Sequence, residues 1–420
     1  MALSALFAVP SLLAAAPPQV REPAPFPLAA QSAIVLDAES GKVLYARDAD
    51  TMRYPASTTK IMTTLLLLER CKLTDIVTAP KDVTKVGEAS MHLKPWEKVT
   101  VRDLAYAMML RSANDGCYSA AVHLAGSVPR FAQMMNARAR EIGCEHTNFV
   151  NPNGLNDKGH MISARDLALI GREAMRNPTF AQIARTPKFR IERSKNKADR
   201  WMVSRNRLLR EDPTADGIKT GWTIPAGHTY VGSATRGGHR LITAILDSPH
   251  WKQDHLELLK WGFGAYERRP VALRTMVLGE VPVAGGAKGA VPVRPSEDVS
   301  TLARKGSWAA PKLELPTEPV SAPIAAGQVV GRAVFVEPGG FRHEVPILAT
   351  ESVERGALPA VAAKVTGSPL GWIGAAGFAV GAFALFARRR RPGRVIASNG
   401  FTIKPLRAAG SVEPTESRRG

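Results

Sequence analysis

The chain of 420 residues is long enough for one large domain and a smaller one, each with its own core. Its apolar content of 45% and charged content of 22% are ordinary for a folded protein. The net charge of +19 raises nucleic acid as a partner, but residues 388–420 alone hold nine Arg or Lys against two Glu. The remaining basic residues form no stripe interleaved with aromatic residues, so we expect no nucleic-acid partner. A generally basic surface suits anionic polymers or membranes instead.

Residues 1–16 predict a secretory signal peptide. Their apolar run closes on three alanines, Ala14–Ala16, and a pair of prolines follows, as at a cleavage site. Because the basic start of a signal peptide is missing, an upstream start or a cleavage nearer Ala30 stays open. Residues 17–31 are rich in proline and predict an extended lead-in.

Residues 367–387 predict a single transmembrane helix. This run holds no charged residue, and its length of about 21 residues is enough to span a bilayer. Four arginines follow at once, and such a cluster stays in the cytoplasm. We therefore expect a protein of the cell membrane, with its main body on the extracytoplasmic side and a basic cytoplasmic tail at residues 388–420.

Residues 32–268 combine helical and strand patterns. Two alternating apolar runs around the turn 39–42 predict a β-hairpin, and a second hairpin is predicted over 228–246. Helices are predicted after Ser57, from Thr100, after Gly116, from Val128 to Ile142, after Ser163 and from about Asp254 to Tyr266. Antiparallel hairpins and helices around one core indicate an α+β domain.

Residues 270–358 have a different texture. Short β-branched runs alternate with Gly and Pro turns, and no helical period occurs. This pattern predicts a small all-β domain.

The three cysteines, Cys71, Cys117 and Cys144, show neither CxxC nor Cys/His metal spacing. No metal site, cofactor or disulfide framework is therefore expected, and buried free thiols are the preferred interpretation. Cys117 follows Asn114 by three residues, and we interpret it as a small buried helix residue rather than a reactive thiol.

The stretch around Ser57 carries the strongest chemical signal. Ser57 lies at a predicted helix start, and Lys60, three residues on, lies on the same helical face, so that hydroxyl and amine can meet. The leucines that follow predict a buried helix, and burial lowers the pKa of a lysine toward that of a base. A buried lysine can then activate a serine without histidine. The alternative is an ordinary N-cap serine before a core helix.

Two further triplets extend this signal. Ser112-Ala113-Asn114 falls at a break between helices, where serine and asparagine can face one cleft. Lys219-Thr220-Gly221 falls on a predicted strand edge, where the glycine admits a substrate backbone while lysine and threonine offer charge and a hydroxyl donor. Similar spacings at Ser194/Lys197 and Ser204/Asn206 lack an apolar helix behind them, and we interpret both as decoys.

The order and setting of these triplets resemble those of penicillin-binding proteins and class A β-lactamases. The chain is similar to the low-molecular-mass penicillin-binding proteins of the serine-type D-alanyl-D-alanine carboxypeptidase family. The likeness runs from about Ser32 through the β-rich region and includes DGIKTGWT, NPNGLND with SARDLALIG, and AAGQVVGRAVF with VPILA. It implies a β-lactamase/transpeptidase-like serine domain at residues 32–268.

The resemblance also implies roles for the site residues. Ser57 would attack the carbonyl between the two terminal D-alanines of a peptidoglycan stem peptide, Lys60 would take its proton, and Ser112 would relay a proton to the leaving amine. Substrate contacts are implied for Asn114, Lys219, Thr220, Gly221 and Trp222. Backbone N–H groups of Ser57 and Trp222 would form the oxyanion hole. β-Lactams would be covalent inhibitors.

The sequence departs from the family pattern at one substrate-binding position, and alternative functions stay open. After the strand that ends at Leu246, residues 247–250 lack the arginine that many relatives place there for the substrate carboxylate. A DD-endopeptidase that cuts cross-links has the same motifs, and a catalytically weak wall-binding scaffold is the alternative of another class. A class A β-lactamase is less supported, because no E-x-x-L-N lies between Asn114 and Lys219.

Overall fold

The computed structural model describes residues 26–338 and 340–356. The predicted signal peptide, most of the proline-rich lead-in, the predicted membrane segment and the basic tail lie outside the described residues, so these interpretations stay predictions. Within the described part of the chain, no helix is both long and apolar enough to cross a membrane.

The described residues form a first domain of helices and antiparallel strands and a second domain of strands alone. The helices are α1 (Lys60–Arg70), α2 (Val101–Tyr106), α3 (Asn114–Ala125), α4 (Val128–Ile142), α5 (Ala164–Arg176), α6 (Pro178–Ala184), α7 (Leu208–Glu211) and α8 (Trp251–Ala265). The strands are β1 (Ser32–Asp37), β2 (Val43–Arg47), β3 (Ile76–Thr78), β4 (Lys98–Thr100), β5 (Thr147–Asn148), β6 (Met161–Ile162), β7 (Lys188–Arg190), β8 (Trp201–Val203), β9 (Ala215–Thr223), β10 (Gly227–Arg236), β11 (His239–Leu246), β12 (Tyr266–Ala272), β13 (Gly279–Ala284), β14 (Ala290–Pro295), β15 (Val299–Arg304), β16 (Lys312–Glu314), β17 (Val320–Ser321), β18 (Val329–Val336) and β19 (Arg342–Ala349).

A five-stranded antiparallel sheet of order β2-β1-β11-β10-β9 joins the two ends of the first domain. Ser32 of β1 lies opposite Leu246 of β11, and both predicted hairpins are present as β1–β2 and β10–β11. Because side chains alternate along a strand, Ile34 enters the core on one face of the sheet and Ala33 enters a second core on the other. Strand β9 is left at the edge.

Helices cover both faces of this sheet. On one face, α5 approaches closely at Gly171, where a Cβ would lie 2.9 Å from Val231 of β10. On the other face, α8 places Leu258 and Leu259 in the second core. The predicted start of α5 is confirmed, because the hydroxyl of Ser163 accepts a hydrogen bond from the backbone of the first turn.

The second domain is the predicted all-β domain, and residues 266–338 and 340–356 contain no helix. Its six-stranded sheet has the order β16-β18-β19-β14-β13-β17, and β12 pairs with β15. Its core is built from valine-rich strands and includes Phe335 and Ile347. An ion pair of 2.5 Å joins Lys42, in the β1–β2 turn, to the nearly buried Glu337 beyond β18.

Candidate active site

Ser57 lies in a 3₁₀ turn, Ala56–Thr59, that leads directly into α1. Its hydroxyl accepts a hydrogen bond of 2.8 Å from Nζ of Lys60, and no side chain caps this turn or α1. The alternative of an ordinary N-cap serine is therefore wrong. The carbonyl of Pro55 accepts hydrogen bonds from Thr58 of the turn and Thr229 of β10, which fixes the turn against the sheet.

Lys60 is completely buried below Ser57. Its ammonium donates a second hydrogen bond, of 2.5 Å, to the carbonyl of Asn153 in the turn 151–157. Burial lowers the pKa of Lys60 to about 8, because the charged form loses its solvation. The neutral amine is therefore accessible near neutral pH, and it already contacts the hydroxyl from which a proton would be removed.

Ser112 and Asn114 follow a π-helical turn at Ala107–Arg111, and the predicted break between helices is present at Ser112 and Ala113, before α3. Ser112 then adopts the left-handed region, at φ 65° and ψ 37°. Among the described residues, neither Oγ of Ser112 nor Oδ1 of Asn114 has a hydrogen-bond partner, although both atoms are buried. The amide of Asn114 donates to the carbonyl of Gly87 at 3.0 Å, which orients the side chain. Buried polar atoms without partners are the kind that a substrate satisfies.

Lys219, Thr220 and Gly221 lie on the edge strand β9. Lys219 is buried, and burial together with the charges of Lys60 and Arg205 holds its pKa well below its usual value. A Cβ on Gly221 would lie 2.9 Å from the backbone nitrogen of Ser57. Only a glycine therefore lets the strand edge come this close to the serine turn.

An open cleft of about 770 Å³ lies at this site. It is lined by five of the eight predicted residues, Ser57, Ser112, Thr220, Gly221 and Trp222, and also by Glu88, Ala89, Arg205, Arg207, His228, Trp251 and Lys252. The other three predicted residues, Lys60, Asn114 and Lys219, are buried. The described residues contain no group of three or more His, Cys, Asp or Glu that could hold a metal ion.

Residues of the two decoy pairs make structural hydrogen bonds. Ser194 accepts a hydrogen bond from the backbone of Lys98, and Asn206 contacts the hydroxyl of Tyr230. All three cysteines are free, and Cys117 and Cys144 are buried as predicted, whereas Cys71 is only partly buried. Cys117 is buried, and burial raises the pKa of its thiol to about 12, which makes it a poor nucleophile.

Comparison with known proteins decides the family. A sequence model described as D-alanyl-D-alanine carboxypeptidase matches residues 18–250, and one described as penicillin-binding protein 5, C-terminal domain, matches residues 266–355. The chain belongs to the low-molecular-mass penicillin-binding proteins of the D-alanyl-D-alanine carboxypeptidase family. It is a serine DD-carboxypeptidase.

Relatives match this carboxypeptidase over most of their own length. D-alanyl-D-alanine carboxypeptidase DacF of Bacillus subtilis is 31% identical over 336 residues, which cover 78% of this chain and 86% of that protein. DacC of Escherichia coli is 33% identical over 358 residues, which cover 78% and 85%. Penicillin binding protein 5 of Haemophilus influenzae has a solved structure that matches with a TM-score of 0.65 at 30% identity, over 79% of this chain and 99% of that one.

Arg205, an exposed residue of the carboxypeptidase cleft, was not predicted from the sequence. Its backbone nitrogen donates to the carbonyl of Leu110, which ties it to the π-helical turn before Ser112. Its charge lowers the pKa values of both Lys60 and Lys219, so it lies close to the reacting centre. The sequence signal for these cleft arginines was the pattern Arg205-Asn206-Arg207, in which only the asparagine is buried in the structure. The pattern did not stand out because the surrounding stretch is also highly charged.

Proposed function

We propose that this carboxypeptidase removes the terminal D-alanine from peptidoglycan stem pentapeptides through an acyl-enzyme on Ser57. The observation that carries the proposal is the 2.8 Å hydrogen bond from the buried amine of Lys60 to the hydroxyl of Ser57. The proposal includes sensitivity to penicillin and a role in cell-wall remodelling.

In the acylation step, neutral Lys60 takes the proton of Ser57 while Oγ attacks the carbonyl between the two D-alanines. The oxyanion that forms accepts hydrogen bonds from the backbone N–H groups of Ser57 and Trp222. The close approach at Gly221 supports this pairing, because it brings strand β9 to the nitrogen of Ser57. A donor of this kind contributes about 3 to 4 kcal/mol in other enzymes.

The substrate backbone and the leaving amine meet Asn114 and Ser112. The unpartnered Oδ1 of Asn114 accepts the N–H of the substrate amide, and the unpartnered Oγ of Ser112 relays a proton to the departing D-alanine. The exposed edge of β9 offers backbone groups to an extended peptide, as in other cases of strand addition. Water then hydrolyses the acyl-enzyme.

The terminal carboxylate of the substrate lies between Thr220 and Arg205. Both line the cleft with Ser57, and Arg205 provides the positive charge that residues 247–250 lack. Lys219 supports this end electrostatically from below. A β-lactam has the same carboxylate and a strained amide, so it acylates Ser57 and remains bound.

Membrane attachment belongs to the same proposal. The uncharged segment at residues 367–387 and the four arginines after it support a single-pass protein with its catalytic domain outside the cytoplasm. That side of the membrane is where peptidoglycan is assembled and trimmed.

The purified enzyme should be given two substrates, a stem pentapeptide and a cross-linked peptide dimer, with release of D-alanine and of monomer measured separately. We expect D-alanine release from the pentapeptide to dominate. A preference for the dimer would replace the proposal with a DD-endopeptidase. Binding of peptidoglycan without turnover of either substrate would favour the wall-binding scaffold.

A further inference from the structure

A second open groove of about 710 Å³ lies on the catalytic domain and takes no part in the proposed reaction. Its walls are residues 78–82, Trp96, and the outer part of α3 with the turn that follows. Apolar side chains such as Val122 line it. Tyr118 and Asp82 are also among the lining residues, and the tyrosine hydroxyl donates to the carboxylate at 2.9 Å.

Trp96 is 60% exposed at this groove. Two other exposed tryptophans outside the active-site cleft each have a cation on the ring. Lys188 lies 4.2 Å from the ring centre of Trp201, and Arg269 lies 5.8 Å from that of Trp308. Among the described residues, the ring of Trp96 has no aromatic or cationic partner.

The backbone holds Trp96 in a position that suits glycine. The nitrogen of Glu97 donates to the carbonyl of Lys94, and in this turn Pro95 is second and Trp96 third, with φ at 63°. Type II turns normally place glycine at such a third position, because a bulky side chain there is strained. Below the turn, buried Glu97 forms a bidentate pair with buried Arg193 at 2.8 and 2.9 Å. A rigid support thus holds Trp96 with a strained backbone and an exposed ring, which suggests that this residue binds a ligand rather than packs in a core.

Helix α3 runs from the active site to the groove, since it begins at Asn114 and carries Tyr118 and Val122. Asn114, Tyr118 and Val122 are four residues apart and therefore share one face of the helix. Tyr118 lies about 6 Å and Val122 about 12 Å beyond Asn114 along the axis. In a stem pentapeptide, four residues separate the scissile bond from the sugar that carries the peptide, and extended they span about 13 to 14 Å. The groove therefore lies at the distance that the sugar would reach.

We propose that this groove binds the glycan strand from which the stem peptide hangs, with Trp96 stacked on the apolar face of a sugar ring. Tyr118 and Asp82 then exchange hydrogen bonds with sugar hydroxyl or acetamido groups, since an aromatic side chain with polar neighbours matches a ring that is apolar on its face and polar at its edge. This inference rests on the proposed function, because that function supplies the peptide that leads to the glycan.

The test compares kcat and KM for a free pentapeptide with those for the same pentapeptide carried on a tetrasaccharide of alternating N-acetylglucosamine and N-acetylmuramic acid. In Trp96→Gly, we expect KM for the glycan-linked substrate to rise about three- to tenfold, while values for the free peptide stay unchanged. The midpoint of thermal unfolding should not fall, because glycine relieves the positive φ. Trp96→Phe should retain glycan preference, and the matched control Trp201→Ala should behave as wild type.

Three results would overturn the proposal. These are an unchanged KM for the glycan-linked substrate in Trp96→Gly, an equal loss for both substrates, and an equal effect of Trp201→Ala. If the wild-type enzyme did not cleave the free pentapeptide, the proposed function would fail on its own. Calorimetric titration with a peptide-free N-acetylglucosamine tetramer would then still decide between a groove that binds glycan through Trp96 and one that does not.

Discussion

The amine of Lys60 donates a 2.8 Å hydrogen bond to the hydroxyl of Ser57 and is itself completely buried. The pH dependence of acylation follows from this pair. Burial lowers the pKa of Lys60 to about 8, and only the neutral amine accepts a proton, so the acylation rate should rise with pH and level off above about 8. Stopped-flow measurement of acylation by a β-lactam between pH 5 and 10 checks this, and a rate that is flat below pH 7 would exclude Lys60 as the base.

Gly221 should be intolerant of even one added methyl group. In Gly221→Ala the new Cβ would lie 2.3 Å from Oγ1 of Thr229 and 2.9 Å from the nitrogen of Ser57. We expect the strand to move away from the serine turn, which lowers kcat/KM by a factor of about 100 and costs about 1 to 3 kcal/mol of unfolding free energy. Gly264→Ala is the matched control, because a Cβ at that helical position meets no atom within 4 Å apart from the adjacent residues and the backbone of its own helix. Full activity of Gly221→Ala would contradict the proposed oxyanion hole.

Arg205 should determine recognition of the terminal carboxylate. We expect Arg205→Ala to lower kcat/KM for a pentapeptide by a factor of about 10 to 100, since a charge-assisted hydrogen bond of about 1.5 to 3 kcal/mol is lost. A peptide with an amidated C-terminus should be a poor substrate for both enzymes and show little difference between them. Arg210→Ala removes an exposed arginine that does not line the cleft and serves as the control. Equal losses on both peptides would show that Arg205 acts on the lysines rather than on the carboxylate.

Glu97 and Arg193 form a bidentate ion pair whose side chains are fully buried. Although burial opposes the charge of Glu97, its hydrogen bonds with Arg193 outweigh this effect and lower its pKa below the usual 4.5. The pair therefore contributes stability at neutral pH that is lost as the pH falls below about 4.5. Arg193→Met should lower the free energy of unfolding at pH 7 by about 3 to 5 kcal/mol, because it leaves a buried carboxylate unpaired. Denaturant titration measures this loss, and a change below 1 kcal/mol would show that the pair contributes little.

Local patterns in the sequence predicted much of the fold. The limits of α4 at Val128 and Ile142, the cap at Ser163 and both hairpins depend on residues close together in the chain. The all-β second domain was likewise visible as short β-branched runs between turns. For the site, three short motifs in order predicted Ser57, Ser112 and Lys219 rather than their decoys, and the structure places Ser57 and Ser112 in one cleft.

What the sequence did not reveal depends on contacts between distant residues. Residues 188–205 are rich in charge, which favours exposed strands and turns, yet Arg193 is buried against Glu97, 96 positions away. Arg205 lines the cleft, and its backbone is hydrogen-bonded to Leu110, in the turn that precedes Ser112 and 95 positions away in the chain. The carbonyl of Asn153 that accepts the hydrogen bond from Lys60 lies 93 positions away in the chain. Because this acceptor is a backbone atom, no pattern of side chains in the sequence predicts it.

The central claim is that Ser57 is acylated, and labelling with fluorescent penicillin tests it most directly. The wild-type enzyme should take up one label per chain, and mass spectrometry should place it on the peptide that contains Ser57. Ser194→Ala, which removes the serine of the decoy motif, should label as wild type, while a folded Ser57→Ala should not label at all. Covalent labelling that persists in Ser57→Ala, or that maps to another serine, would contradict the account.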